Sequence, residues 1–168
     1  LEGIELLRPP PSLDLLPGHR YGIPVLHPTP GRIRNSRFSF EGRLYQFPSR
    51  DGKPYIHGFA CREIWRVEDK SGDRLSCVLE VVPGSPAYEI FPWRHRIRLE
   101  HRLDDSGLKL SFHVENMDFK NLPFGFGFHP YFRIPGRRED VWIQVPAGNR
   151  HVFERKSPTG GMRGVEGS

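Results

Sequence analysis

Polar and apolar residues alternate most regularly between positions 96 and 115. In residues 96–103 every second side chain is apolar or histidine and the others are charged, and in residues 108–115 apolar side chains alternate with polar or charged ones. Asp104–Gly107 separates the two runs and has the composition of a turn. Alternation with a period of two places apolar and polar side chains on opposite faces of a strand. The pattern therefore predicts an antiparallel hairpin with one apolar and one charged face.

Shorter runs predict further strands. The first 22 residues are rich in proline and glycine. Residues 22–28 are apolar but interrupted by two prolines, so they are predicted to form a buried, extended loop and not a central strand. No segment predicts a helix or a repeat, and residues from 147 onward are polar and rich in glycine. Together these features predict a single all-β domain, an antiparallel β-sandwich or barrel. The predicted strands are Ile4–Leu7, Phe38–Glu41 with Leu44–Phe47, Ile64–Glu68 before a turn at 69–73, Leu75–Val82 and Val141–Pro146.

Residues 124–132 are the most unusual stretch of the chain, with four phenylalanines and a tyrosine in nine residues. At the strand period Phe124, Phe126 and Phe128 share one face, and the intervening glycines open the other face to close approach. His129 follows, and Pro130 restricts its backbone to an extended conformation. The stretch predicts an aromatic strand with an imidazole at its end. The residues alone leave a structural role for His129 as open as a catalytic one.

Composition narrows the classes of function. Hydrophobic residues are 36% of the chain, 18 glycines and 17 prolines favour many turns, and 168 residues suffice for one core. The net charge of +5 comes from arginines scattered among acids, without the basic tract typical of nucleic-acid binding. Cys61 and Cys77 are too few for a disulfide framework and lack metal-ligand spacing, so two reduced, partly buried thiols are expected. No run reaches transmembrane length and no signal peptide is recognisable, so we expect a cytoplasmic protein without membrane or nucleic-acid partners.

Four blocks of the sequence, in this order and spacing, resemble the aldose 1-epimerase (galactose mutarotase) family. The last block, with the upstream His-Gly, is the most specific, and the similarity extends over roughly residues 20–165 to Pro158-Thr159-Gly160. The blocks are Gly22-Ile23-Pro24-Val25-Leu26 with Pro30-Gly31-Arg32-Ile33, then Phe38-Ser39-Phe40-Glu41-Gly42, then Ile56-His57-Gly58-Phe59, and finally Leu122-Pro123-Phe124-Gly125-Phe126-Gly127-Phe128-His129-Pro130-Tyr131-Phe132.

The resemblance implies a large antiparallel β-sandwich, the galactose mutarotase-like supersandwich, with a sugar cleft. It also implies interconversion of the α and β anomers of an aldose without a cofactor. By this resemblance His129 is the general acid at the ring oxygen, and His57 hydrogen-bonds the sugar nearby. Arg32 holds sugar hydroxyls, and Asn35 is a weaker candidate beside it. An imidazole suits the acid role because its ordinary pKa of about 6.5 lies near working pH.

The histidines and Arg32 could also have structural roles. Arg32 could form a surface ion pair, and His57 could cap a turn. The remaining histidines considered, His27, His95, His101 and His113, are expected to be structural or exposed, with His101 a satisfied core residue. A metal site is not expected, because no two histidines share ligand spacing.

The chain departs from the family pattern at the general base, the partner of the general acid. The family's general base is a glutamate well beyond the Pro-Thr-Gly segment, and an aspartate that binds the sugar also lies beyond it. No residue of this chain matches either motif. We therefore expect residues 1–168 to be a partial mutarotase-like domain that lacks the first strands and the C-terminal part, and to be inactive alone.

Two alternative functions remain open. The first is a hexose-6-phosphate mutarotase of the same superfamily, because His57-Gly58-Phe59-Ala60-Cys61-Arg62 with Trp65 resembles a block of those enzymes. In that case Arg34, Arg37 or Arg62 could bind the phosphate through the fork of the guanidinium group. The second is a non-catalytic carbohydrate-binding module in which the aromatic stretch and Arg32 bind a sugar. The preferred sugar and the oligomeric state are not predicted.

Overall fold

The structure, a computed structural model, describes residues 5–12, 20–49 and 51–165. Strands dominate these residues, and the α-helix found among them has five residues, too few to cross a membrane. Single 3₁₀ turns lie at Arg34–Ser36, Ala60–Arg62 and Arg138–Asp140. The elements are β1 (Val25–Leu26), β2 (Arg37–Phe40), β3 (Arg43–Gln46), β4 (Arg66–Ser71), β5 (Arg74–Val81), α1 (Pro86–Ile90), β6 (His95–Asp104), β7 (Gly107–Asn116), β8 (Gly127–Phe128), β9 (Asn149–Glu154) and β10 (Ser157–Gly164).

The chain divides into two compact units. Unit 1 comprises Leu1–Cys61 together with Gly125–Ser168, and unit 2 comprises Arg62–Phe124. Every pair of strands in either unit is antiparallel, which confirms the predicted all-β antiparallel class. The prediction of one partial sandwich domain over residues 1–168 stays a prediction.

Unit 2 is a four-stranded sheet in the order β4-β5-β6-β7. The strands β6 and β7 form the predicted hairpin, with Leu99 opposite Phe112 on one side and Cys77 on the other. Ile97 and Val81 are fully buried on the apolar face, with the indole of Trp93 against the ring of Phe91. Burial of these side chains stabilises the sheet, because removing apolar surface from water contributes about 25 cal/mol per Å².

The opposite face of the sheet in unit 2 is charged, as the alternation predicts. Arg96 binds Glu80 on β5 at 2.9 Å and Glu115 on β7 at 3.1 Å, and Arg98 binds Glu68 on β4 at 2.9 Å. These cross-strand pairs are exposed to solvent, where such pairs contribute little to stability.

The described residues of unit 1 form three two-stranded sheets, β1 with β8, β2 with β3, and β9 with β10. Phe38 on β2 stacks on Tyr45 of β3 and on the buried Phe47, and Phe47 stacks on Tyr55 with ring centroids 4.5 Å apart. This column of four rings supports the chain segment that precedes His57.

The structure corrects the predicted aromatic strand. Only Gly127 and Phe128 are in strand β8, because their partner β1 has only two residues. Phe124 is 58% exposed and packs in unit 2 beside Phe112, whereas Phe126 and Phe128 contact each other edge to face. The predicted close approach at a glycine is found, since a Cβ atom on Gly125 would collide with the carbonyl oxygen of Pro28.

Several further strand predictions are wrong. Val141–Pro146 is not a strand, and Trp142 within it is 93% exposed. The region after residue 147 instead contains the hairpin β9–β10. Of the predicted strand Ile4–Leu7, Ile4 lies outside the described residues, and Leu7 makes only an isolated bridge to Phe132.

Smaller differences concern boundaries and single residues. Strand β4 extends through Ser71, beyond the predicted start of its turn, and helix α1 was not predicted. The loop at residues 22–28 is buried over its second half, as expected, but includes β1. His101 is not a satisfied core residue, since its buried Nδ1 has no hydrogen-bond partner. Both cysteines are half-buried.

Candidate active site

The two histidines predicted as site residues meet in unit 1. The ring centroids of His57 and His129 are 5.3 Å apart, and the rings are nearly perpendicular, at 83°. Both side chains are half-buried. Two imidazoles in this position can reach one small molecule together, and proton transfer requires such a group within hydrogen-bond reach of the reacting atom.

Backbone pairing places His57. The N–H of Ile33 donates to the carbonyl of Tyr55 at 2.9 Å, and the N–H of His57 donates to Gly31 at 3.2 Å. The Nδ1 of His57 lies 3.2 Å from the carbonyl oxygen of Pro30. Because a carbonyl can only accept, Nδ1 carries the hydrogen in this contact.

The residue after His57 has to be glycine. Gly58 has φ +68°, and a Cβ atom there would collide with the carbonyl oxygen of His27. The same oxygen accepts hydrogen bonds from the N–H groups of Phe59 at 2.9 Å and Ala60 at 3.2 Å. The close approach of the two backbones therefore fixes the conformation that presents His57.

His129 is held at the end of β8. Its N–H donates to the carbonyl of Pro24 at 3.0 Å, and the N–H of Tyr131 donates to Gly22 at 2.9 Å. The Nδ1 of the fully buried His27 donates to the carbonyl of Gly125 at 2.9 Å. His27 thus joins three blocks of the sequence that are distant in the chain.

Arg32 lies beside His57 in register, because its backbone bridges to Ile56. Its side chain is half-buried. Asn35 is exposed and adopts a left-handed conformation at φ +55° in the turn Arg34–Ser36. Gln46 of β3 supports this turn by donating to the carbonyl of Ser36 at 2.9 Å. The structure thus brings the backbone of Arg32 next to the segment that carries His57, and places Asn35 on an exposed turn.

Two residues with roles at the site were not singled out from the sequence. His27 was expected only to be structural or exposed, and it is the junction of the site's backbone segments. Tyr131 stacks on His129 with centroids 4.7 Å apart and an angle of 12° between the rings. The signal for Tyr131 was present, since it is two residues from His129 and an extended chain places both on one side.

In the described part of the chain, no group of three or more His, Cys, Asp or Glu side chains is arranged to hold a metal ion.

The family model for aldose 1-epimerase matches residues 2–168. The chain belongs to the aldose 1-epimerase family. Two uncharacterized proteins of Escherichia coli K12 are similar in sequence. YphB is 28% identical over 144 residues, covering 77% of this chain and 47% of YphB, and YihR is 27% identical over 140 residues, covering 80% and 44%.

Solved structures agree with the family assignment. A galactose mutarotase-like protein from Clostridium acetobutylicum has a TM-score of 0.81 and 26% identity, covering 96% of this chain and 52% of that protein. A putative aldose 1-epimerase from Escherichia coli K12 has a TM-score of 0.72 and 26% identity, covering 95% and 52%. The chain thus has the antiparallel galactose mutarotase-like fold and spans about half the length of the relatives it matches.

Proposed function

We propose that the protein interconverts the α and β anomers of an aldohexose. The observation that carries this proposal is the meeting of His57 and His129, with ring centroids 5.3 Å apart, in a member of the aldose 1-epimerase family. The sugar would lie against this pair, on the half-buried side chains that remain accessible to a small molecule. The reaction is an isomerisation, so it requires proton transfer and no net change in oxidation state.

The proposed reaction begins when a base removes the proton from the anomeric hydroxyl while His129 protonates the ring oxygen. The bond between the anomeric carbon and the ring oxygen breaks, and an open-chain aldehyde forms. Rotation about the neighbouring carbon–carbon bond presents the other face of the aldehyde. On ring closure the attacking hydroxyl returns its proton to His129, and the base returns its proton to the aldehyde oxygen, which becomes the anomeric hydroxyl, so that atoms and charges balance.

His57 and Arg32 would bind and orient the sugar. With its Nδ1 hydrogen held by the Pro30 carbonyl, His57 can accept a hydroxyl hydrogen at Nε2 near the ring oxygen. Arg32 can donate several hydrogen bonds to neighbouring hydroxyls through its planar guanidinium. Asn35 would add a weaker contact from its exposed turn. Orientation of this kind is a large part of the rate enhancement in such reactions.

The general base is not assigned to any of these 168 residues. Since the chain spans about half of its relatives, we propose that the base belongs to the other half of the whole protein, and that the 168-residue chain alone accelerates mutarotation little.

The proposal predicts that the whole protein accelerates the change in optical rotation of freshly dissolved α-glucose or α-galactose. Replacing His129 by Asn, which preserves polarity and size, should lower kcat at least about 100-fold because the general acid is lost.

In the same polarimetric series, Arg32→Ala and His57→Ala should raise KM more strongly than they lower kcat if these residues bind the sugar.

The control is His113→Ala, because His113 is an exposed histidine on β7 in unit 2. It should keep the rate of the unchanged protein. A near-normal rate in His129→Asn would exclude the acid role. A whole protein that binds sugar calorimetrically without accelerating mutarotation would indicate a binding module, and a preference for glucose 6-phosphate would indicate the phosphorylated branch.

A further inference from the structure

His129 differs from the other well-buried or site histidines in how its ring is held. His27, His57 and His95 each place Nδ1 within 3.2 Å of a backbone carbonyl oxygen, those of Gly125, Pro30 and Trp93 respectively. Within the described residues no such bond reaches a ring nitrogen of His129, whose contacts are ring contacts. Both nitrogens of His129 are therefore available to a substrate, but hydrogen bonding does not fix the plane of the ring.

Tyr131 supplies the missing restraint. Its ring lies nearly parallel to the imidazole, at 12°, with centroids 4.7 Å apart. Rotation of an imidazole about its last side-chain bond is otherwise soft, because this torsion has broad minima. A flat aromatic face at stacking distance favours one plane of the imidazole over the others.

The backbone makes Tyr131 a firm support. Its N–H donates to Gly22 at 2.9 Å, and its carbonyl accepts from the N–H of Arg8 at 2.8 Å. In the sequence, Pro130 separates His129 from Tyr131, and the pyrrolidine ring of Pro130 fixes its φ angle. The backbone of Tyr131 is thus hydrogen-bonded through both its N–H and its carbonyl, which fixes the position from which its ring projects beside the imidazole.

We propose that Tyr131 is a positioning residue that fixes the plane of the His129 imidazole and so aims its proton at the sugar ring oxygen. The part of this inference that concerns the sugar rests on the proposed function; the part that concerns the imidazole plane does not. Tyr131 acts here through its aromatic face, so the phenol hydroxyl is not required.

The test compares Tyr131→Phe, which keeps the aromatic face, with Tyr131→Leu, which removes it, in the whole protein. Mutarotation by Tyr131→Phe should stay within about twofold of the unchanged protein. Tyr131→Leu should lower kcat about tenfold with KM changed less than twofold, since a misplaced reacting group costs rate much more than binding. The control Phe132→Leu makes the same kind of truncation at the next, exposed residue and should leave kcat unchanged.

A second measurement does not depend on activity. In a histidine-labelled sample, the carbon-bound ring protons of His129, assigned with His129→Asn, should show an upfield ring-current shift in the unchanged protein and in Tyr131→Phe. In Tyr131→Leu this shift should disappear and the signals should broaden. Thermal melting of each variant shows whether it is folded under the conditions used.

The outcomes separate the two proposals. If the unchanged protein has no mutarotase activity, the proposed function fails, and the ring signals still decide whether Tyr131 fixes the imidazole. Unchanged His129 signals in Tyr131→Leu would overturn the inference, as would a Tyr131→Leu enzyme with normal kcat. Equal damage in Tyr131→Phe and Tyr131→Leu would show that the hydroxyl, and not the aromatic face, is what matters.

Discussion

At the scale of single residues, the backbone around His57 is unusually constrained. His57 has φ +66° and Gly58 has φ +68°, a conformation that costs a non-glycine residue roughly 1 kcal/mol or more. Gly58 also lies directly against the carbonyl oxygen of His27. The strain at His57 is tolerated because Gly58 permits the hydrogen bonds of Phe59 and Ala60 to that oxygen.

Gly58→Ala should therefore destabilise the protein by roughly 3 kcal/mol, from backbone strain and overpacking together. The matched control is Gly42→Ala in the turn between β2 and β3. Gly42 has φ +75° but nothing within 4 Å of an added Cβ, so it should cost only about 1 kcal/mol. Urea unfolding of both variants measures the difference. Equal losses would mean that the contact with His27 has no energetic consequence.

The site residues show which part of a site a sequence can reveal. His57 and His129 could be named because their neighbours match a family pattern. The role of His27 could not, because it depends on its own carbonyl oxygen and on a hydrogen bond from its ring to the carbonyl of a residue 98 positions away. Such contacts follow from the path of the whole backbone, so they cannot be predicted from a short sequence motif.

At the scale of elements, the hairpin β6–β7 was predictable because each strand alternates for about ten residues and the partner follows directly. The hairpin β9–β10 was missed because its turn lacks the usual signal. Arg155 and Lys156 have φ values of +46° and +67°, where hairpins of this kind normally have Asn-Gly or Asp-Gly. The segment Val141–Pro146 has a strand-like sequence, but among the described residues it has no strand partner. A segment with a strand-like pattern thus forms a strand only where a partner strand is available.

Strand β6 also contains a titrating group. His95 is fully buried at its start, edge-on to the ring of Phe91, with Nδ1 donating to the carbonyl of Trp93 at 2.8 Å. Burial lowers the pKa of His95 below its usual value of 6.5, although the Trp93 carbonyl and Asp118 act in the opposite direction. The folded protein therefore prefers the neutral ring.

Since the unfolded chain binds a proton at His95 more readily than the folded one, the free energy of unfolding should fall as pH drops below 6.5. The contribution is fully present above pH 6.5 and is lost as pH decreases through the folded pKa. Urea unfolding at pH 8 and at pH 5.5 measures the loss. His95→Gln, which cannot titrate, should show a smaller loss over the same interval, and an equal loss would assign the dependence to other groups.

At the scale of the whole molecule, unit 2 lies in the sequence between the two parts of unit 1. Its sheet is built from hairpins between strands that follow one another along the chain. In unit 1, by contrast, β1 pairs with β8, and residues near position 30 pair with residues near 56. The fold class could be predicted because it follows from many local strands. The division into two units could not, because it depends on these long-range pairings.

The hydrogen bond between His27 and Gly125 closes a loop of 98 residues, and this has a consequence for the order of folding. Closing a long loop costs more entropy than closing a hairpin, so contacts between neighbouring strands form first. In pulsed hydrogen exchange during refolding, the amides of Ile97 and Leu99 on β6 should become protected before the amide of His129. The amide of His129 is protected only when it donates its hydrogen bond to the carbonyl of Pro24. Simultaneous protection would contradict this order. A chain halted partway would thus contain a finished sheet in unit 2 while its two site histidines were still apart.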